Sequence, residues 1–257
     1  MPLPGGPTDK FGNRYEGRWT VNCMVDVMDE QADSIRLEPP GVEGEGVEFW
    51  IQRGDVREYH QVKRQHSASG RWTLKDLGHG HVLAHFWEKL REPKASCIFV
   101  SFHAAYQLAE LAERAKGAAS WEEFDQVFLK SDIQSGAFDE LCRQWGECPR
   151  QSAFEALKRV HVKTIGEDTL QVLLESRLAA LVEGDSGTVV DILAQLALDV
   201  VHQELTAQDI WHHLEARDLR RRQWGKDSRV LAAVEAANER YLSPLCDVAW
   251  ATIGRAA

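Results

Sequence analysis

The chain has 257 residues, of which 44% are hydrophobic, including nine Trp and nine Phe; that is enough apolar material for a substantial core. A formal net charge of −10 argues against a broadly nucleic-acid-binding surface, because phosphate contacts come from Lys and Arg. Residues 1–103 carry 13 basic and 15 acidic side chains, and residues 104–257 carry 17 and 25, so the acidity sits mostly in the second half.

No run of 18 apolar residues is present, and the opening MPLPGGPTDK lacks the apolar centre of a secretory signal. Five scattered cysteines (Cys23, Cys97, Cys142, Cys148, Cys246) fit reduced thiols rather than a disulfide or zinc framework. The expectation is a cytoplasmic protein with no membrane partner.

In chain order, residues 13–29 place Tyr15, Trp19, Cys23 and Val27 four apart, which predicts an amphipathic helix. After a break at Asp33, three strand-like runs follow at 34–39, 47–52 and 57–63. A Gly- and Pro-rich turn and an RGD turn separate them, as in a β-meander. A helix opening at Thr73 is predicted over 73–91, and the apolar run 96–102 predicts a buried strand.

Beyond residue 103 the pattern is almost wholly helical, with periodic stretches at 104–116, 134–145, 167–183, 188–204, 206–223 and 228–250. Ser120 with Glu123, and Ser152 with Glu155, have capping-box spacing. Residues 160–165 (VHVKTI) fit either helix or strand. The expected organisation is therefore an α/β domain over 1–103 and an all-α extension over 104–257.

Side chains two apart on a strand share a face, so Gln61 and Lys63 point together, as do Glu48 and Trp50 of the preceding run. Pairing these runs brings Glu48 beside Gln61 and Lys63, with Glu38 approaching the same edge. Carboxylates and an amide oxygen suit a hard Mg²⁺ or Mn²⁺ ion. A lysine there can orient a water or stabilise charge developing on a phosphoryl group. The plainer alternative is a solvated strand surface in which Lys63 is only a cross-strand partner of the acids.

An acid on the second strand, then (D/E/Q)-x-K on the third, in the order αβββαβ, resembles the PD-(D/E)XK nucleases. GVEFWI…REYHQVKRQ is similar to the Gln-x-Lys variant of Mrr-like restriction enzymes. GNRYEGRW…IRLEPPGVEGEGVEFWI…EYHQVKRQ resembles the N-terminal double-stranded-DNA endonuclease effector domain of bacterial anti-phage (CBASS and antiviral STAND NTPase) proteins.

The resemblance implies Mg²⁺-dependent deoxyribonuclease activity, with Glu38, Glu48 and Gln61 on the metal, Lys63 as the catalytic lysine and Glu16 as an additional helix acid. Glu stands where Asp is usual, so Glu43, Glu45 and Glu48 all stay open as the second-strand ligand. The implied partners are double-stranded DNA, contacted by Arg64, Arg71 and Lys75, further copies of the chain, and a C-terminal STAND-type NTPase or sensor that clusters the nucleases and so switches on cleavage in anti-phage defence. Residues 238–257 resemble the segment leading into such an NTPase. The alternative from another class is an inactive nuclease-fold module for DNA binding or protein assembly.

Other groups carry less chemistry. His79, His81 and His85 lack a third ligand at usable spacing and read as structural or surface histidines, as do His212 and His213. The basic run Arg217, Arg220, Arg221, Arg222 and Lys226 reads as a solvated helix end, with contact to a DNA backbone or to another domain as the alternatives. Helical Trp residues read as core or interface anchors, and no GxxxxGK[ST] phosphate loop is present.

Overall fold

A computed structural model describes residues 7–64 and 70–222. Helix α1 (Pro7–Met28) leads into strands β1 (Ser34–Leu37), β2 (Phe49–Arg53) and β3 (Val56–Lys63). Helices α2 (Leu74–His79) and α3 (Val82–Leu90) then precede strand β4 (Ala95–Ser101). The middle of the chain holds α4 (Tyr106–Gly117), the single turn α5 (Trp121–Glu123), α6 (Asp132–Gln144), α7 (Arg150–Leu157) and strand β5 (Val160–Thr164). It continues through α8 (Glu167–Leu181), β6 (Val182–Glu183), α9 (Ser186–Asp199), β7 (Glu204–Thr206), α10 (Ala207–Glu215) and β8 (Arg220–Arg221).

Six strands form one mixed sheet in the order β5-β4-β3-β2-β1-β7. The β1–β2, β2–β3 and β1–β7 pairs are antiparallel, while β3–β4 and β4–β5 are parallel. The β2–β3 hairpin turns at Gly54 with φ +56°, a conformation glycine adopts without steric penalty.

Strand alternation gives each face of the sheet its own core. On one face Trp50, Tyr59, Cys97 and Phe99 pack against α2–α7. On the other, Phe49, Ile51, Val62, Ile98 and Val100 pack against α1, α8, α9 and α10. The result is a three-layer α/β/α arrangement.

Several expectations change. The region after residue 103 is not all-α, because β5 and β7 complete the two edges of the sheet. The ambiguous residues 160–165 become a strand because the parallel edge of β4 supplies hydrogen-bond partners that an isolated segment lacks. The helix expected over 73–91 is broken at His81, which takes φ +59° and separates α2 from α3. Ser152 lies inside α7 rather than at its cap, and Ser120 accepts from the Glu123 amide without the reciprocal bond.

Complete capping boxes instead form at Thr73 with Asp76 and at Thr206 with Asp209, where aspartate replaces the usual glutamate. The stretches expected over 188–204 and 206–223 end at Asp199 and Glu215. The helix expected over 228–250, together with Lys226, Trp224, Trp250 and Cys246, lies outside the described residues. Among the described residues no helix is long and apolar enough to cross a membrane, and Cys23, Cys97, Cys142 and Cys148 are buried free thiols.

Candidate functional site

The β2–β3 register pairs Phe49 with His60, which carries Glu48, one residue before the strand, opposite Gln61. The Glu48 amide donates to the His60 carbonyl at 2.9 Å and fixes that alignment. Gln61 Nε2 then donates to Glu48 Oε1 at 2.6 Å, and Lys63 Nζ donates to the same oxygen at 3.0 Å. Oε2 of Glu48 accepts no hydrogen bond among the described residues. Gln61 is buried, whereas Lys63 and Glu48 are each about one-third exposed, with side-chain exposures of 35% and 31%.

Glu38 directly follows β1 and its amide donates to the Glu48 carbonyl at 2.9 Å. Its φ of +39° turns the chain away from the strand, and its side chain is exposed. Glu16 projects from α1, one residue past the buried Tyr15, so it leaves the core stripe and enters the same cleft. A cavity of about 470 Å³ is lined by Glu16, Glu38 and Glu48, with Arg14 and Arg18 from α1 and Asp191 from α9.

Burial, and then the nearby Glu48 carboxylate, push the Glu16 carboxyl up to about 7; Lys63 pulls it back by more than Glu38 adds. It is a group poised to exchange a proton near neutrality.

Of the three acids left open on the second strand, only Glu48 reaches Gln61 and Lys63. Glu43 is held on another side, 2.9 Å from both Arg36 and Arg57, while its carbonyl accepts from Lys89 at 2.8 Å. Glu45 lines that neighbouring cleft with Glu43, Arg57 and Lys89.

The expected contact residues divide in the same way. Arg64 lies 3.5 Å from Glu167, a carboxylate also approached by Arg18 at 3.0 Å and Arg14 at 3.8 Å. Three guanidinium groups thus gather around one carboxylate, with Asp168 and Asp191 also close enough to act on Arg18. Arg71 and Lys75 are exposed where the chain enters α2. Sequence reasoning missed Arg14, Arg18 and Glu167; the spacing of Arg14 and Arg18 on α1 was visible, but their convergence with α8 was not.

Among the described residues the histidines form no metal cluster: His81 and His85 approach edge to face at 6.4 Å, and His212 and His213 sit in the last turn of α10. Trp87 stacks on Trp145 at 5.2 Å, in keeping with a core role. Arg217 donates to the His213 carbonyl, and Arg221 covers the Trp211 ring at 5.5 Å.

Among the described residues no three His, Cys, Asp or Glu side chains converge into a ready-made metal cage. The donors that line the cleft are the Glu16, Glu38 and Glu48 carboxylates, and Gln61 and Lys63 meet it through Glu48 Oε1. Their chemistry fits a hard divalent cation, and the crowding that raises Glu16 is what a bound cation would relieve.

No protein-family model matches the chain, and no curated protein matches it. Solved structures do. The Acinetobacter baumannii Cap4 SAVED/CARF-domain containing receptor matches at 13% identity and a TM-score of 0.44, over 79% of this chain and 46% of that one. The same receptor with the cyclic trinucleotide 2'3'3'-cAAA matches at 13% identity and TM-score 0.44, over 79% and 44%. The Moraxella osloensis Cap4 SAVED/CARF-domain containing receptor matches at 13% identity and TM-score 0.46, over 80% and 48%. The chain spans less than half the length of these structures.

These comparisons correct the expected identification. Receptors, two of them holding cyclic trinucleotides, stand where PD-(D/E)XK endonuclease effectors were expected, and no nuclease family model matches. The double-stranded-DNA endonuclease effector, its clustering by a sensor, and the inactive nuclease-fold module are therefore set aside. The physical reason is that Glu, Gln and Lys meeting at an antiparallel strand pair fix a local geometry that by itself defines neither a family nor a substrate.

Proposed function

We propose that the Glu16–Glu48–Gln61–Lys63 cleft is a divalent-cation-assisted site for a phosphodiester-bearing ligand, and that hydrolysis of that phosphodiester is the reaction its side chains are equipped to assist. The observation that supports this most is the convergence of Gln61 and Lys63 on one oxygen of Glu48, beside a carboxyl held near 7.

A bound Mg²⁺ or Mn²⁺ would neutralise phosphate charge and make an attached water more acidic. Glu48 and Gln61 are the residues that would hold it, beside Glu16. The Lys63 ammonium pairs with charge developing on the non-bridging phosphate oxygens. Glu16 takes a proton from the attacking water as the P–O ester bond breaks, and passes that proton to the departing ester oxygen. Arg14, Arg18 and Arg64 draw the anionic ligand to the mouth.

The test measures binding and turnover separately, with Mg²⁺ or Mn²⁺ present. The panel contains a linear oligonucleotide, a cyclic trinucleotide and the small diester methyl p-nitrophenyl phosphate. The intact protein binds and cleaves at least one of these, and Lys63→Ala lowers turnover by about 100-fold or more while leaving the fold intact. If the intact protein binds none of the panel and no divalent cation, the site is misassigned. Binding without turnover would confine the role to ligand capture.

A further inference from the structure

A second and larger cavity, of about 940 Å³, lies on the α1/α8 face of the sheet, over β3, β4 and β5. Its walls are two helical stripes at four-residue spacing, Asn22 and Asp26 on α1 and Thr169, Leu173 and Arg177 on α8. Nothing in the proposed phosphodiester site uses it.

Its floor contains an unsatisfied buried group. His60 is 2% exposed and stacks on Phe49 at 4.7 Å. Its Nδ1 accepts a hydrogen bond from Trp19 Nε1 at 3.2 Å, so the proton of the neutral ring resides on Nε2. Nε2 has no hydrogen-bond partner, although the Glu58 carboxylate stands 3.8 Å away. A buried N–H left without an acceptor is destabilising, and one beside a cavity is a natural ligand contact.

The surrounding charges say which ligand. Asp26 is claimed by Arg177 at 2.6 Å and by Arg53, and Arg53 also holds Glu58 at 2.9 Å. Those ion pairs make the walls rigid and mutually neutral. Lys163 differs: it is exposed on β5, lies 5.3 Å over the Trp19 ring, and has no carboxylate partner among the described residues. An imidazole N–H donor beside a carboxylate acceptor suits a hydroxyl, which can accept from one and donate to the other. An ammonium at the rim suits a phosphate.

We infer that this cavity binds a small phosphorylated, hydroxyl-bearing molecule, with a hydroxyl between His60 and Glu58 and the phosphate at Lys163. A sugar phosphate and a mononucleotide share that chemistry, and the volume is within the range of small-molecule sites.

The test is a titration of the full chain, ¹⁵N-labelled, with ribose 5-phosphate, AMP, ribose and inorganic phosphate, following the Trp19 indole N–H resonance. The expected result is a saturable shift with ribose 5-phosphate or AMP at concentrations where ribose and inorganic phosphate give none. Lys163→Gln, a surface change, weakens that binding by about tenfold or more, and His60→Asn, if it folds, abolishes the Trp19 shift. Inorganic phosphate binding as tightly as ribose 5-phosphate would overturn the hydroxyl contact. No saturable shift with any probe, or full affinity in Lys163→Gln, would overturn the site. Lys63→Ala leaves this binding unchanged, which separates its failure from failure of the phosphodiester site.

Discussion

Replacing Glu16 by Gln tests the electrostatics of the cleft directly. In the folded chain its carboxyl is pushed from 4.5 up to about 7, first by burial and then by Glu48, with Lys63 opposing. The proton is thus held more tightly in the folded than in the unfolded state. Its contribution to stability is complete below pH 4.5 and is lost as pH rises through about 7.

At 1.36 kcal/mol per pH unit the gap corresponds to an upper bound of about 3.4 kcal/mol, and solvent screening of this half-buried group reduces it to about 1–2 kcal/mol. Glu16→Gln, which keeps the shape and removes the charge, is therefore expected to match the parent protein near pH 4 and to exceed its stability by about 1–2 kcal/mol at pH 8.5. Urea unfolding at both pH values reads the difference from the midpoints. Millimolar Mg²⁺ should raise the parent midpoint at pH 8.5 and raise that of the variant less, because a bound cation relieves the same repulsion. An equal stability difference at the two pH values would refute the argument.

Three further outcomes follow from the geometry. Glu48→Gln weakens Mg²⁺ binding by more than about tenfold in calorimetry, whereas Glu43→Gln, whose carboxylate is already engaged by Arg36 and Arg57, leaves it unchanged; equal losses would show that the wrong acid was chosen. Thr206→Ala removes a complete capping box and costs about 1 kcal/mol in urea unfolding, while Ser152→Ala, inside α7, stays within about 0.5 kcal/mol. Gly46→Ala destabilises by more than about 1 kcal/mol, because φ is +71° and the new Cβ would fall 1.9 Å from His85 Cγ; His85→Ala should restore part of the loss.

What the sequence determined by itself was local and periodic. The four-residue spacing of Tyr15, Trp19, Cys23 and Val27 made α1 legible, and the two-residue alternation in 47–52 and 57–63 put Glu48, Gln61 and Lys63 on a shared face. Both patterns follow from backbone geometry and need no partner. What it left open required contacts distant in the chain. VHVKTI became β5 only because β4 offered a parallel edge, and the short segment 204–206 became β7 only because β1 did.

The choice of Glu48 over Glu43 was likewise tertiary, since Arg36 and Arg57 engage Glu43 and leave Glu48 to Gln61 and Lys63. The Arg14–Arg18–Arg64 grouping depends on Glu167 from α8, and the unsatisfied His60 N–H depends on Trp19 from α1 claiming the other ring nitrogen. Periodicity specifies which face a side chain occupies; the packing of helices against the sheet decides what that side chain meets there.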